Sequence, residues 1–304
     1  MPTTQATAID HNNPWYILGA GAMGCLWAAY LTLAGFPAVL ITRTKRNGSN
    51  IQLTKNGHSQ SITVKQITVS EVQQSALNIK QLLVTTKAQQ TLPALTDIKP
   101  NIDKQATLLI LQNGMASKDI AKLLPSQQLI TGITTDGAYR TSELTVVHAG
   151  EGETLIGDRH IIQYLPKQFL SIKYCDDIDS RQWQKLAINC AINGLTVIYQ
   201  CRNGELLDNE KAMARIQLLC DEITTVMQAL AIDIQNPLFE QTVHTLNITA
   251  NNFSSMYQDC KQQQTTEIDF INGYLCNEAK RLNISCPENQ RVLASIKQIE
   301  QSYA

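Results

Sequence analysis

Up to about residue 175 the chain alternates short β-rich apolar runs with helical ones. WYILG (15–19), AVLITR (38–43), LLVTTK (82–87), TLLILQ (107–112) and QLITGITT (128–135) read as strands, and helical stretches follow the first, third and fourth. Such alternation predicts a parallel sheet flanked by helices. SITVKQITV (61–69) alternates strictly between polar and apolar residues, as expected of an antiparallel edge strand. ELTVVHAGEGETLIG (143–157) reads as a further hairpin turning at its glycines.

From about residue 179 the strand signals stop, and helical periodicity covers 180–200, 209–231, 237–260, 265–283 and 287–302. Ser285 and Pro287 suit the entry of the last helix, because proline is well tolerated in a first turn. The boundary falls near YCDDIDS (174–180), whose aspartates and serine make a good helix cap. The expected organisation is a loose polar tail (1–13), an α/β domain (14–178), which Gly19, Gly21 and Gly24 as GxGxxG after the first strand mark as a Rossmann-type dinucleotide-binding domain, and an all-α domain (179–304) left to take the substrate. The opening MPTTQATAIDHNN has neither the basic nor the apolar segment of a signal peptide. No apolar run reaches the ~18–20 residues that span a bilayer.

The first helix of the second domain poses a question. Within QWQKLAINCAINGLTVIYQC (182–201), Lys185, Asn189 and Asn193 recur every four residues and so stack on one face of an otherwise apolar helix. Burying an unpaired ammonium or amide costs several kcal/mol, roughly 2–7 for the amide. Something polar is therefore expected against that face.

Gly19, Gly21 and Gly24 form GxGxxG directly after a predicted strand and at the opening of a helix, the context that turns a weak pattern into a dinucleotide-binding signature. The first glycine permits the tight turn, the second lets the backbone approach a pyrophosphate, and the third lets helix and strand pack closely. The second strand ends ITRTKR, with Arg43, Lys45 and Arg46, and no acidic residue occurs between Asp10 and Glu71. NAD-binding sheets place a carboxylate at this point, so a cationic, acid-free end that suits a 2′-phosphate predicts NADPH/NADP+, with Arg43, nearest the strand, as the first candidate and Arg46 assisting. Lys87 and Asn113 sit at carboxyl ends of strands, where open sheets bind ligands. Lys87 fits a solvated strand-end lysine equally well, and Asn113-Gly114 is also a common turn dipeptide.

Asn252 and Ser255 stand three apart on one expected helical face, and Glu267 heads the next apolar-periodic stretch, where Ile268, Ile271 and Leu275 face inward. A glutamate in a first turn is also what the helix dipole favours.

Composition narrows the partners. A chain of 304 residues accommodates two domains, and a formal net charge of -1 offers no bulk attraction to nucleic acid or an anionic membrane. The eight cysteines form no CxxC pair and the five histidines no metal spacing, which predicts a reducing cytoplasm, no metal and no nucleophilic hydrolysis.

Taken together, GAGAMG (Gly19, Ala20, Gly21, Ala22, Met23, Gly24), the TTKA and QNGM stretches, KLAINCAINGLTVIYQCRNGEL, and NNFSSMYQD followed by TTEIDFINGYL resemble the ketopantoate reductase (2-dehydropantoate 2-reductase) family across nearly everything after the tail. The resemblance implies NADPH-dependent reduction of 2-dehydropantoate to (R)-pantoate in pantothenate biosynthesis by a monomer or homodimer. It implies Lys185 as general acid and Glu267 as the anchor of the substrate's hydroxyl end. Asn113, Asn189, Asn193, Asn252 and Ser255 fall where the family contacts substrate or cofactor, Lys87 near the nicotinamide, and Arg43 at the 2′-phosphate. The chain departs from the family at Gln89 and Gln90, where a bulkier residue is frequent, and at Asp136-Gly137, which replaces a variable stretch containing histidine. These departures leave room for another branched 2-oxo acid as substrate. A non-catalytic NADPH sensor is the reading from a different class, since fold alone does not exclude it.

Overall fold

The computed structural model describes residues 10–303. It contains, in chain order, β1 (Trp15–Leu18), α1 (Ala22–Leu33), β2 (Ala38–Thr42), β3 (Asn50–Lys55), β4 (His58–Thr63), β5 (Lys65–Thr68), α2 (Val69–Gln74), β6 (Ile79–Val84), α3 (Ala88–Ile98), β7 (Ile102–Ile110), α4 (Ser117–Leu123), β8 (Gln128–Thr134), β9 (Gly137–Ser142), β10 (Thr145–Gly150), β11 (Glu153–Ile156) and β12 (Ser171–Tyr174). Helices follow: α5 (Ile178–Ile198), α6 (Glu210–Ala229), α7 (Leu238–Ile248), α8 (Ser255–Lys261), α9 (Asn272–Arg281) and α10 (Pro287–Gln301). Two compact units result. Unit one comprises the described residues up to Gln112 with Ala116–Ile178; unit two comprises Asn113–Met115 and the chain from Asp179.

In unit one an eight-stranded sheet runs β12-β11-β8-β7-β6-β1-β2-β5, parallel from β5 through β8 and closed by an antiparallel β11. Ile17 on β1 lies between Leu40 and Leu83, and all three are buried, so the central strands read as continuous apolar runs. A second sheet, β4-β3-β10-β9, packs on the other side of α1, which touches strands of both sheets. A helix covered on opposite sides has no solvent face, which is why α1 is apolar all round from Cys25 to Leu31.

The second sheet corrects two sequence expectations. SITVKQITV is not one edge strand: the chain switches sheets at buried Val64, leaving β4 antiparallel to β3 and β5 parallel to β2. ELTVVHAGEGETLIG is not a hairpin either, because β10 pairs with β9 and β3 while β11 joins the large sheet. The turn at its glycines is a crossing between sheets, where a Cβ at Gly152 would lie 2.3 Å from the Thr135 carbonyl carbon. Hairpins form instead at β3–β4, through Asn56 and Gly57 (φ 50° and 78°), and at β9–β10.

The expected polar tail is also revised in part. Residues 1–9 lie outside the described residues, but the Asp10 carbonyl accepts from Asn13 and from Gln81 Nε2, both at 3.0 Å. His11 stacks on Phe36, with ring centroids 5.6 Å apart.

Unit two is helical around a core drawn from all its helices. The expected helix 237–260 is broken between α7 and α8, where the Ser254 hydroxyl caps Tyr257 N (3.0 Å) and shares a 2.6 Å hydrogen bond with Thr196. The expected helix 265–283 starts in earnest only at Asn272, after a single 3-10 turn over Ile268–Phe270. Asn272 is fully buried and donates to Cys190 O (3.1 Å) and Asn289 Oδ1 (3.0 Å), fixing where α9 starts. Among the described residues no helix is long and apolar enough to cross a membrane.

Candidate active site

In unit one the chain leaves β1 at Gly19, whose φ of +111° suits glycine alone; a Cβ there would lie 2.7 Å from Thr86 N. A Cβ on Gly24 would stand 1.8 Å from Gly19 O, so the first turn of α1 lies directly on the glycine turn. Gly21 differs: nothing lies within 4 Å of its would-be Cβ, and it begins α1 without a side-chain cap. The uncapped start of α1 beside that open space fits a pyrophosphate. Ala20, Ala22 and Met23 are half-buried in the same turn. Thr85, just past β6, buttresses it by donating to Gly19 O (2.9 Å). Lys87 is half-buried at the start of α3, and its carbonyl accepts from Thr91 (3.1 Å).

The cations at the end of β2 divide. Arg43 is exposed. Arg46 instead turns back to the glycine turn and donates to Ala20 O (3.0 Å) and to Glu143 O. Arg140, on β9, donates to the same Ala20 O at 2.9 Å. Two nitrogens sharing one acceptor at these distances lie within about 6 Å of each other. At such a separation two positive charges repel by roughly 1–3 kcal/mol for effective dielectric constants of about 80 down to 20. Among the described residues no carboxylate pairs with either guanidinium. Arg140 escaped the sequence reading because β9, polar and largely exposed, gave no strand signal.

Asp136, at the stretch where a departure from the family was expected, lies in a buried polar network. It is buried and accepts from Thr134 (2.9 Å), Thr154 (3.3 Å) and Gly152 N (3.0 Å), and it pairs with His148 Nε2 (3.1 Å). His148 Nδ1 bonds the Tyr30 hydroxyl at 2.8 Å, tying α1 to β10. Burial, reinforced by the Asp136 charge, pushes the Tyr30 phenol up to about 12.

In unit two, Lys185 and Asn189 are half-buried on α5 and Asn193 is buried. Burial draws the Lys185 ammonium down from 10.5 to about 8, and the Glu267 carboxylate pulls in the opposite direction. Glu267 is buried and accepts from Asn113 Nδ2 at 3.4 Å. Its backbone is gripped on both sides by α10. Glu300 accepts from Thr266 N and Oγ1, both at 2.7 Å, and Lys297 pairs with Asp269 at 2.6 Å. Gly114 touches the same segment, for a Cβ there would stand 2.8 Å from Phe270 O. Lys185, Glu267 and Asn113 are thus brought together.

Asn252 and Ser255 do not share a helical face as expected. Asn252 lies in the loop before α8, Ser255 is its first residue, and both are exposed. The helix interruption is responsible. Glu300 was missed because it lies 34 residues from Thr266, on a helix whose pattern announces only packing.

A glycine turn built for a dinucleotide and a helical unit carrying a desolvated lysine define a nicotinamide-dependent oxidoreductase of the α/β type. Residues 15–160 match the family described as ketopantoate reductase PanE/ApbA, and residues 177–300 match its C-terminal domain. The 2-dehydropantoate 2-reductase of Vibrio cholerae is 33% identical over 95% of this chain and 98% of its own length. A ketopantoate reductase of the same family from Ralstonia eutropha JMP134 shares the fold with a TM-score of 0.87 at 24% identity, covering 95% of this chain and 99% of that one. So does D-mandelate dehydrogenase in its ternary structure with NADH and anilino(oxo)acetate, with the same TM-score, identity and coverage. The chain belongs to the ketopantoate reductase family, as its motifs indicated.

Proposed function

We propose that the chain catalyses NADPH-dependent reduction of 2-dehydropantoate to (R)-pantoate. The observation that carries this reading is the Lys185–Glu267 pair: an ammonium drawn by burial to about 8, beside a buried carboxylate. Bound NADPH supplies the hydride that adds to the ketone carbon. Lys185, about one unit above neutral and mostly protonated at pH 7, donates a hydrogen bond to the ketone oxygen. There it stabilises the negative charge that builds up and passes its proton to that oxygen, completing the alcohol. Glu267 accepts from the substrate hydroxyl, and Asn113, Asn189 and Asn193 donate to its carboxylate or to the cofactor ribose. Asn252 and Ser255 contribute from the start of α8, and Lys87 contacts the cofactor. The turn from Gly19 to Gly24 holds the pyrophosphate, and the acid-free end of β2, Arg43 included, supports NADPH over NADH.

We also assign the protein to the cytoplasm, since eight free cysteines, five of them buried, suit a reducing compartment. The test follows the nicotinamide absorbance of purified protein with NADPH and 2-dehydropantoate, then with NADPH and 2-oxoisovalerate. The expected result is NADPH oxidation with a much higher kcat/KM for 2-dehydropantoate, because only it offers Glu267 a hydroxyl. No oxidation with either acid would overturn the proposal.

A further inference from the structure

We infer that Arg140, together with Arg46, grips the 2′-phosphate of the dinucleotide and sets the preference of this chain for NADPH over NADH. The inference rests on the NADPH reading above and assigns part of that selectivity to the small sheet. Two guanidiniums from distant parts of the chain, the loop after β2 and the strand β9, converge on the carbonyl of Ala20, the residue between the first two glycines of the turn. Their other acceptor is also shared: the backbone carbonyl of Glu143 takes a bond from each. Neutral carbonyls hold the two charges in place without cancelling them. A doubly charged phosphate monoester bridging both guanidiniums would relieve their repulsion and gain charge-assisted hydrogen bonds.

The location is right for that group. On this kind of sheet the adenine half of a dinucleotide runs from the glycine turn towards the end of the second strand, where the ribose hydroxyls are read. Arg46 and Arg140 border that stretch. Arg140 is also held there in advance. Its strand pairs with β10, and β10 is bolted to α1 through His148, Asp136 and Tyr30. Arg43 and Arg140 are both exposed, but Arg46 and Arg140 are already oriented by their bonds to the Ala20 carbonyl.

The test is calorimetric titration of the protein with NADPH and with NADH, without substrate. The wild type is expected to favour NADPH. Arg140→Ala should weaken NADPH about 10- to 100-fold, the value of a hydrogen bond to a charged group, while changing NADH less than roughly threefold. Arg140→Lys should recover part of the loss, since it restores a point charge without the fork. On the unaltered protein, 2′,5′-ADP should bind more tightly than 5′-AMP, with the difference shrinking as salt rises. Equal losses for both dinucleotides, or an undiminished NADPH affinity, would overturn the assignment, because a merely structural role of Arg140 in the turn affects both ligands alike. If Arg140→Ala fails to fold, Arg140→Gln keeps a donor for the Ala20 carbonyl and removes only the charge, giving the same readout. A wild type that prefers NADPH but does not oxidise it with 2-dehydropantoate defeats the substrate reading and leaves this one standing. A wild type indifferent to the 2′-phosphate defeats this one.

Discussion

Burial and the Glu267 carboxylate act on Lys185 in opposite directions, and burial wins: the ammonium sits at about 8 rather than 10.5. A lysine with an ordinary pKa holds its proton too tightly to be an efficient acid near neutrality, so desolvation suits Lys185 to the proposed proton transfer. The pair therefore predicts a pH profile. kcat/KM should be level below pH 8 and fall above it as Lys185 loses the proton it must donate. Glu267→Gln removes the charge that favours the ammonium, so the descending limb should move to lower pH. A profile flat through pH 9, or a limb that moves upward in the variant, would contradict the assignment.

The same shift has a consequence for stability. Unfolded, Lys185 titrates near 10.5; folded, near 8. Between those values the unfolded chain binds more protons, so this residue makes stability rise with pH across that window. Below it, the buried ammonium is a standing penalty, at most about 3 kcal/mol before any discount for the water it retains. Lys185→Met, which keeps the aliphatic stem, should therefore unfold at the same or a higher temperature at pH 7. Its turnover should fall by about 10²–10⁴, the usual value of a positioned acid, with NADPH affinity unchanged. Loss of both stability and activity would instead make Lys185 a structural residue.

How much of this was legible in the sequence depends on what each residue is buried against. Ile17, Leu40, Leu83 and Leu109 belong to strands covered on both faces, so their runs are continuous and easily read. The small sheet was not legible as such. β4 is exposed at every position but Ile62, and β9 carries no buried residue, so neither shows the contrast on which periodicity depends. Val64 looks like any alternating strand position, yet it marks the change of sheet. On the helical side the stripe of Lys185, Asn189 and Asn193 was visible because the residues between and beside it, from Leu186 to Leu195, are apolar. The 249–254 break was not, since its cause is a tertiary hydrogen bond between Ser254 and Thr196. Arg140 and Glu300 stayed hidden for a related reason: their roles depend on backbone carbonyls, amides and a hydroxyl distant in sequence.

Glu300 offers a test of the support beneath Glu267. Its carboxylate fixes Thr266, the residue before Glu267, through two short hydrogen bonds. Glu300→Ala leaves the Thr266 amide without its acceptor, at an expected cost of about 1–3 kcal/mol in unfolding free energy. If the segment positions Glu267, kcat/KM should fall, and the loss should be larger for 2-dehydropantoate than for 2-oxoisovalerate, which lacks the hydroxyl proposed to bond Glu267. Glu300→Gln retains an acceptor oxygen and should recover most of both effects. Equal kinetic losses for the two substrates would reduce Glu300 to a stabilising contact.

The glycine turn yields a paired prediction, because Gly21 and Gly24 are glycines for different reasons. A methyl group at Gly24 would stand 1.8 Å from Gly19 O and 2.7 Å from Thr85 Oγ1, and the first of these is backbone. Gly24→Ala must therefore move α1 off the turn. Overpacking of this kind costs about 1–3 kcal/mol or more, and in a chain of this size each kcal/mol lowers Tm by roughly 2–4 °C. A methyl group at Gly21 meets nothing within 4 Å, and Gly21 is not in the left-handed region, with φ at −75°. Gly21→Ala should leave Tm within about 1 °C of the wild type, as substitutions that disturb no contact do. Yet the space it fills is where the proposed function puts the pyrophosphate, so NADPH affinity should drop at least tenfold, and NADH affinity equally, since both ligands carry that group. Thermal unfolding and titration of the two variants side by side separate a glycine kept for packing from one kept for the ligand. If Gly21→Ala binds both dinucleotides normally, the open space before α1 is not the pyrophosphate site.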